Sequence, residues 1–281
     1  MKNGATFSAT KSNSTAGNKG SRIVALKSYL EQKFKERSLL LMTHAVVGYP
    51  SLEDNWQMLT CMQEAGVDLV ELQLPFSEPI ADGPMFIKAN QSALEHDVHW
   101  QQYFEFAAKA AEKFDFPILF MGYYNSVFRM GHESFCRRLK ESGLQGFIIA
   151  DLPVEEAVEL DAYAQKRELD PIHIMTPVNS DQRLKEIAAT ASGFIYCVAR
   201  KGVTGRQTEL DESLQQYLQR CRKATDLPLA LGFGIKKPEH VSRLKGLADI
   251  AIVGTACLEV WEQRDEDRYR TFLQELHQAT R

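Results

Sequence analysis

A chain of 281 residues, 44% hydrophobic and 25% charged, can bury a sizeable core without disulfide or metal staples. A net charge of -4 with no Lys/Arg cluster argues against nucleic-acid binding as its main role. The longest apolar runs are strand-sized, which excludes a membrane span. Five cysteines without a CxxC pair and seven scattered histidines predict no disulfide framework and no metal site, and fit a reducing cytoplasm.

The chain opens on "MKNGATFSATKSNSTAGNKG", too polar to order itself and without the apolar stretch of a secretory signal. Residues 1–21 are therefore expected to be a disordered tail, with an organelle transit peptide as the rival reading. Ile23, Leu26, Leu30 and Phe34 then share one helical face, predicting an extra N-terminal helix. Strand-like runs follow at Leu39–Val47, Val67–Leu74, Pro117–Gly122, Gly146–Asp151, Ile172–Thr176, Gly193–Val198, Leu227–Gly232 and Asp249–Gly254. Amphipathic stretches separate them, at Leu52–Ala65, Gln101–Phe114, Ser134–Glu141, Glu155–Arg167, Asp181–Thr190, Glu212–Lys223 and Pro238–Leu244.

A weak repeat supports this alternation. "AGVDLVEL", "SGLQGFII", "ASGFIYCV" and "GLADIAIVG" each carry a glycine at a helix exit and then enter an apolar strand. Eight such units in roughly 250 residues match a closed (β/α)8 barrel. Residues 22–281 are read as one such TIM-barrel domain, with a doubly wound open sheet as the alternative.

Barrel chemistry occurs at the C-terminal ends of the strands. There, "ELQLPFSEPIADGPM" places Glu71 in an apolar strand and Asp82 on the loop behind it. Glu71 alone could be a structural ion-pair partner, and Asp82 alone a turn or N-cap residue. Three glycine turns follow the last three strands: "KGVTG" (Lys201–Gly205), "GFG" (Gly232–Gly234) and "GTA" (Gly254–Ala256), the last opening the final helix. Each could be only a turn. Together they suggest a phosphate monoester held by backbone N–H groups. Two carboxylates in different environments beside such a cradle suggest proton-transfer chemistry: aldol-type cleavage, isomerisation or elimination.

"VELQLPFSEPIADGP", with "GFIIADLP", "GVTG" and "GFGI" in the same order, resembles the tryptophan synthase alpha subunit family from about Leu39 to Leu258. The resemblance implies retro-aldol cleavage of indole-3-glycerol phosphate to indole and glyceraldehyde 3-phosphate. It implies that Glu71 protonates the indole ring carbon bearing the side chain, and that Asp82 meets the indole N–H. It implies a substrate and phosphate site of Tyr196, Gly202, Thr204, Gly205, Phe233, Gly234, Gly254 and Thr255. It also implies a cytoplasmic alpha2-beta2 complex with a beta subunit. Pyridoxal phosphate belongs to that partner, and this chain has no cofactor of its own. The loop from Ala199 to Glu209 is expected to be mobile when empty and to close over substrate with the partner bound. Intact Glu71 and Asp82 weigh against two rivals, another phosphate-binding barrel isomerase or lyase and a barrel that only activates a partner.

Several positions depart from the family pattern: Gln73 where "ELG" is common, Glu78 for an aspartate, Thr255 for a serine, Tyr49 in place of the aspartate of a "GDP" turn, and Arg200-Lys201 ahead of "GVTG". In "MGYYNSVF", core packing is the favoured reading of Tyr123 more than of Tyr124. Asn125 matches a family asparagine, in a region implied to face the beta subunit.

Overall fold

The computed structural model describes residues 25–199, 212–232 and 234–281. The expected tail at residues 1–21 and Ile23 lie outside them. The strands are β1 (Leu40–Val46), β2 (Leu69–Gln73), β3 (Ile118–Gly122), β4 (Gly146–Ile149), β5 (Asp170–Ile172), β6 (Ile174–Met175), β7 (Ile195–Val198), β8 (Leu229–Gly232) and β9 (Ile250–Val253). They form one parallel sheet in the order β5-β4-β3-β2-β1-β9-β8-β7-β6.

The two ends of that order, β5 and β6, are separated only by His173. The chain passes from pairing with β4 to pairing with β7 within one stave, which closes the barrel. The single fifth strand expected from sequence is thus two short pieces. The other strands fall where the apolar runs put them, each between helices, as in a (β/α)8 barrel.

The repeated glycines have a common cause. All four sit at left-handed φ that a side chain would strain: Gly66 and Gly143, at 81° and 76°, at helix exits, and Gly193 and Gly246, at 68° and 78°, in the turns leading into the next strands.

Helix α1 (Leu26–Glu36) packs across the N-terminal mouth of the barrel. Its Leu26 and Leu30 are buried with the inward residues Leu40, Met42, Leu69, Leu119, Ile172, Phe194 and Ile250. Each leucine contributes about 1.5–3 kcal/mol by leaving water. Asp68, just before β2, locks this end by accepting from Leu41 N (2.8 Å) and pairing with Arg37.

Alternate strand residues face outward onto a second apolar layer under the surrounding helices, among them Val70, Leu72, Phe120 and Leu231. Helix α2 (Leu52–Ala65) starts at Ser51, whose side chain accepts from Asp54 N, with Glu53 and Asp54 in the first turn. Helix α3 (Pro84–Glu95) starts on proline, whose missing N–H costs nothing there. It adds a helix to the amphipathic stretches expected from sequence. The turn at Gly254 opens a short helix, Thr255–Trp261, and the last helix is Glu266–Gln278, capped by Asp265.

Candidate active site

The inward residues change character along the barrel. Leucine, isoleucine and methionine fill the end covered by α1, while His44, Glu71, Gln73 and Tyr196 occupy inward positions toward the other end. Strand register pairs His44 with Glu71 and Val46 with Gln73. Glu71 and Gln73 share the inner face of β2 because side chains alternate across a strand.

Glu71 is 0% exposed. Among the described residues neither of its oxygens has a hydrogen-bond partner. Burial, and then the charge of Asp82, push its pKa up to about 8. His44 Nδ1 lies 3.8 Å from Glu71 Oε2. That is too long for a hydrogen bond, and burial lowers the His44 pKa to about 3. At neutral pH both groups are uncharged, so the contact is no ion pair. The ring of His44 instead packs against Phe86 of α3, with centroids 4.4 Å apart.

Asp82, on the loop from β2 to α3, is also buried, but its surroundings differ. Its Oδ2 accepts from Gln73 Nε2 at 2.8 Å and from Asn90 Nδ2 at 3.4 Å. Burial raises its pKa; hydrogen bonds from Gln73, Tyr123 and Asn90 work the other way. Asn90 is itself anchored, donating to Phe86 O (2.8 Å) and accepting from Phe76 N (2.9 Å). Tyr123, just after β3, accepts from Ala81 N at 3.2 Å and stacks on Phe76 at 5.0 Å. The loop carrying Asp82 is therefore held from three elements.

Tyr196 projects inward from β7. Burial and the charges of Glu71 and Asp82 raise its pKa far above the ordinary phenol value, so it is a neutral hydrogen-bonding group. A Cβ on Gly232 would lie 3.5 Å from its Oη, which places the tyrosine at the exit of β8. Gly234, at φ 76°, continues that turn, and Gly254 caps the Thr255–Trp261 helix after β9. A Cβ at Gly254 would meet Phe86 at 3.1 Å. Gly202, Thr204, Gly205 and Phe233, like residues 200–209 of the expected mobile loop, lie outside the described residues.

Two carboxylates of unlike environment thus meet at the C-terminal mouth of the barrel, one uncharged in an apolar setting and one held by hydrogen-bond donors. The family model for the tryptophan synthase alpha chain matches residues 30–281. The chain belongs to the tryptophan synthase alpha chain family. A tryptophan synthase alpha chain from Desulforapulum autotrophicum is 45% identical over 251 residues, covering 89% of this chain and 99% of the relative. The structure of tryptophan synthase subunit alpha from Legionella pneumophila superposes with a TM-score of 0.82 at 28% identity, covering 91% of this chain and 97% of that one. A chain of the tryptophan synthase complex from Pyrococcus furiosus gives 0.77 at 27% identity, covering 85% and 98%.

Three of the departures from the alpha-chain pattern have structural settings. Gln73 is a buried donor to Asp82 rather than added bulk alone. Tyr49 is buried, its Oη donating to Glu262 Oε1 at 3.1 Å, and Lys88 pairs with the same carboxylate. Glu78 is exposed. His44 and Asn90 were not singled out from sequence. His44 was findable as the polar residue in phase with Leu40 and Met42 on one strand face, whereas nothing local marks Asn90.

Proposed function

We propose that this chain cleaves indole-3-glycerol phosphate to indole and glyceraldehyde 3-phosphate, as the alpha subunit of tryptophan synthase. The observation that carries the reading is Glu71: a fully buried carboxyl, without a hydrogen-bond partner among the described residues and with its pKa pushed up to about 8. Such a group holds a proton at neutral pH and can give it up.

In this reading Glu71 protonates the indole ring carbon that bears the glycerol chain. The ring nitrogen then carries developing positive charge, and Asp82, whose carboxylate form the Gln73 and Asn90 donors favour against burial, accepts the indole N–H. The hydroxyl next to the scissile bond loses its proton and becomes the aldehyde carbonyl. The carbon–carbon bond electrons return to the ring, releasing indole. A Glu71 carboxylate that regains this hydroxyl proton ends the cycle as it began, so proton count and charge balance. The phosphate would rest on the turns at Gly202, Thr204 and Gly205, at Phe233 and Gly234, and at Gly254 and Thr255, with Tyr196 beside the reacting part of the substrate.

The reading treats residues 22–281 as one catalytic domain acting in the cytoplasm, without a cofactor of its own. It assigns pyridoxal phosphate to a beta subunit in an alpha2-beta2 complex. Ile80, Phe128, Val158 and Val178 support a docking partner. They are large apolar side chains left 72%, 65%, 67% and 63% exposed on segments following β2, β3, β4 and β6, on the side of the barrel where the site opens. The test is indole release from indole-3-glycerol phosphate by the purified chain, alone and with a beta subunit. Slow release alone and fast release together support the reading; no release in either case overturns it.

A further inference from the structure

Asp82 needs two properties to serve the indole end: it must stay ionised although buried, and one oxygen must be left to meet the ring N–H. Both depend on what holds its other oxygen. Gln73 lies nine positions earlier in the chain and is 0% exposed. It follows Glu71 by two residues on the same inward strand face. Its Nε2 donates to Asp82 Oδ2 at 2.8 Å and also approaches Asn90 Oδ1 at 3.4 Å. An ionised carboxylate only accepts, so the amide has one orientation; turned over, it would set two acceptors against each other. The Asn90 contact to the same oxygen is longer, at 3.4 Å.

We propose that Gln73 is a positioning residue that fixes Asp82 through its Oδ2, so that the carboxylate is held in place, beside Tyr123, to meet the indole N–H. The proposal rests on the lyase reading above. Because β2 carries Glu71 and Gln73 on one face, a single rigid strand sets both ends of the proton chemistry, Glu71 directly and Asp82 through the amide. The remaining Gln73 Oε1 is buried with no hydrogen-bond partner of ordinary geometry among the described residues, on the side of His44, whose imidazolium form it favours; the short, 2.8 Å bond of the amide is the one to Asp82.

The titratable groups that act on Asp82 are Glu71 on β2, Tyr123 after β3 and Tyr196 on β7, with His44 of β1 behind Glu71. None of these supplies a positive charge at neutral pH. Loss of the amide donor therefore leaves Asp82 harder to ionise. A hydrogen bond to a charged group is worth about one to two pH units of carboxylate pKa.

The experiment compares Gln73→Met and Gln73→Glu with the unaltered chain and with Asp82→Asn. It measures kcat and KM for indole-3-glycerol phosphate from pH 5 to 9, with a beta subunit present. Gln73→Met keeps the length but removes the donor. Gln73→Glu keeps the shape and sets a second carboxyl against Asp82. In both, the acid limb should move up by about one pH unit or more. kcat should fall more at the acid end of the range than at pH 8, and the rise in melting temperature given by inorganic phosphate should stay as it was. An acid limb in its original place in whichever variant folds overturns the proposal and makes Gln73 a packing residue. If Asp82→Asn is as active as the unaltered chain, the lyase reading of Asp82 fails instead.

Discussion

His44 and Glu71 face each other across β1 and β2 with Nδ1 3.8 Å from Oε2, and at neutral pH neither carries a charge. Burial drives the histidine to its base form and the carboxyl to its acid form, so proximity produces no ion pair. The pair leaves Glu71 with a transferable proton and no competing acceptor charge.

A pH dependence follows. If Glu71 is the acid, as proposed, it acts from its protonated form, and activity should fall as pH rises through about 8. In the same proposal Asp82 acts from its ionised form, so activity should also fall as pH drops through its raised pKa, above the ordinary 3.8. The kcat/KM profile should be a bell with its alkaline limb near 8, each limb belonging to the coupled pair. A profile flat from pH 7 to 9 would remove Glu71 from the role of acid.

The barrel plug should matter for stability and not for chemistry. Leu30 of α1 is 2% exposed at the end of the barrel away from Glu71. Leu30→Ala should cost about 2–5 kcal/mol in urea unfolding. The kcat/KM of the folded fraction should be unchanged; a matching loss of activity would mean that the plug couples to the site.

The phosphate cradle can be tested through one close approach. Any side chain at Gly254 presses on Phe86, where even a Cβ would come within 3.1 Å. Inorganic phosphate should raise the melting temperature of the unaltered chain by mass action. In Gly254→Val that increment should vanish, whatever the variant's own melting temperature. An undiminished increment would move the phosphate away from this turn.

Partner docking predicts a separable defect. Phe128 is 65% exposed on the helix Tyr124–Met130. Phe128→Asp should leave the activity of the isolated chain unchanged and weaken the response to a beta subunit, with about tenfold more partner needed for half activation. An unchanged titration would exclude this helix from the interface.

Local signals made much of the fold legible. Leu52–Ala65 was readable to the residue because Ser51 caps it and Gly66 ends it, both signals lying in the adjoining sequence. Helix α3 is harder to read locally: its cap is Gly83, without a side-chain hydrogen bond, and Pro84 at its first position marks a turn as readily as a helix start. The division of the fifth stave was not legible. It arises where Ile172 pairs with β4 while the His173 carbonyl already accepts from Tyr196 N on β7, a distant contact.

At the site, Glu71 stood out because a carboxylate interrupts an apolar strand. The setting of Asp82 did not, since Gln73, Asn90 and Tyr123 reach it from separate elements. From sequence Gln73 reads only as a departure from a family glycine, because its amide's partner, Asp82, lies on a separate loop.

A buried, protonated Glu71 as the proposed acid stands or falls with the Glu71→Gln variant. Glutamine keeps the shape but cannot transfer the proton. Indole release from indole-3-glycerol phosphate, measured with a beta subunit present, should fall by about 10²–10⁴. The same variant should melt higher than the unaltered chain at pH 8.5 and alike at pH 4. The fold favours the neutral acid, so the unaltered chain loses stability as pH rises from the ordinary 4.5 through about 8. A folded Glu71→Gln that releases indole at the original rate would contradict the account.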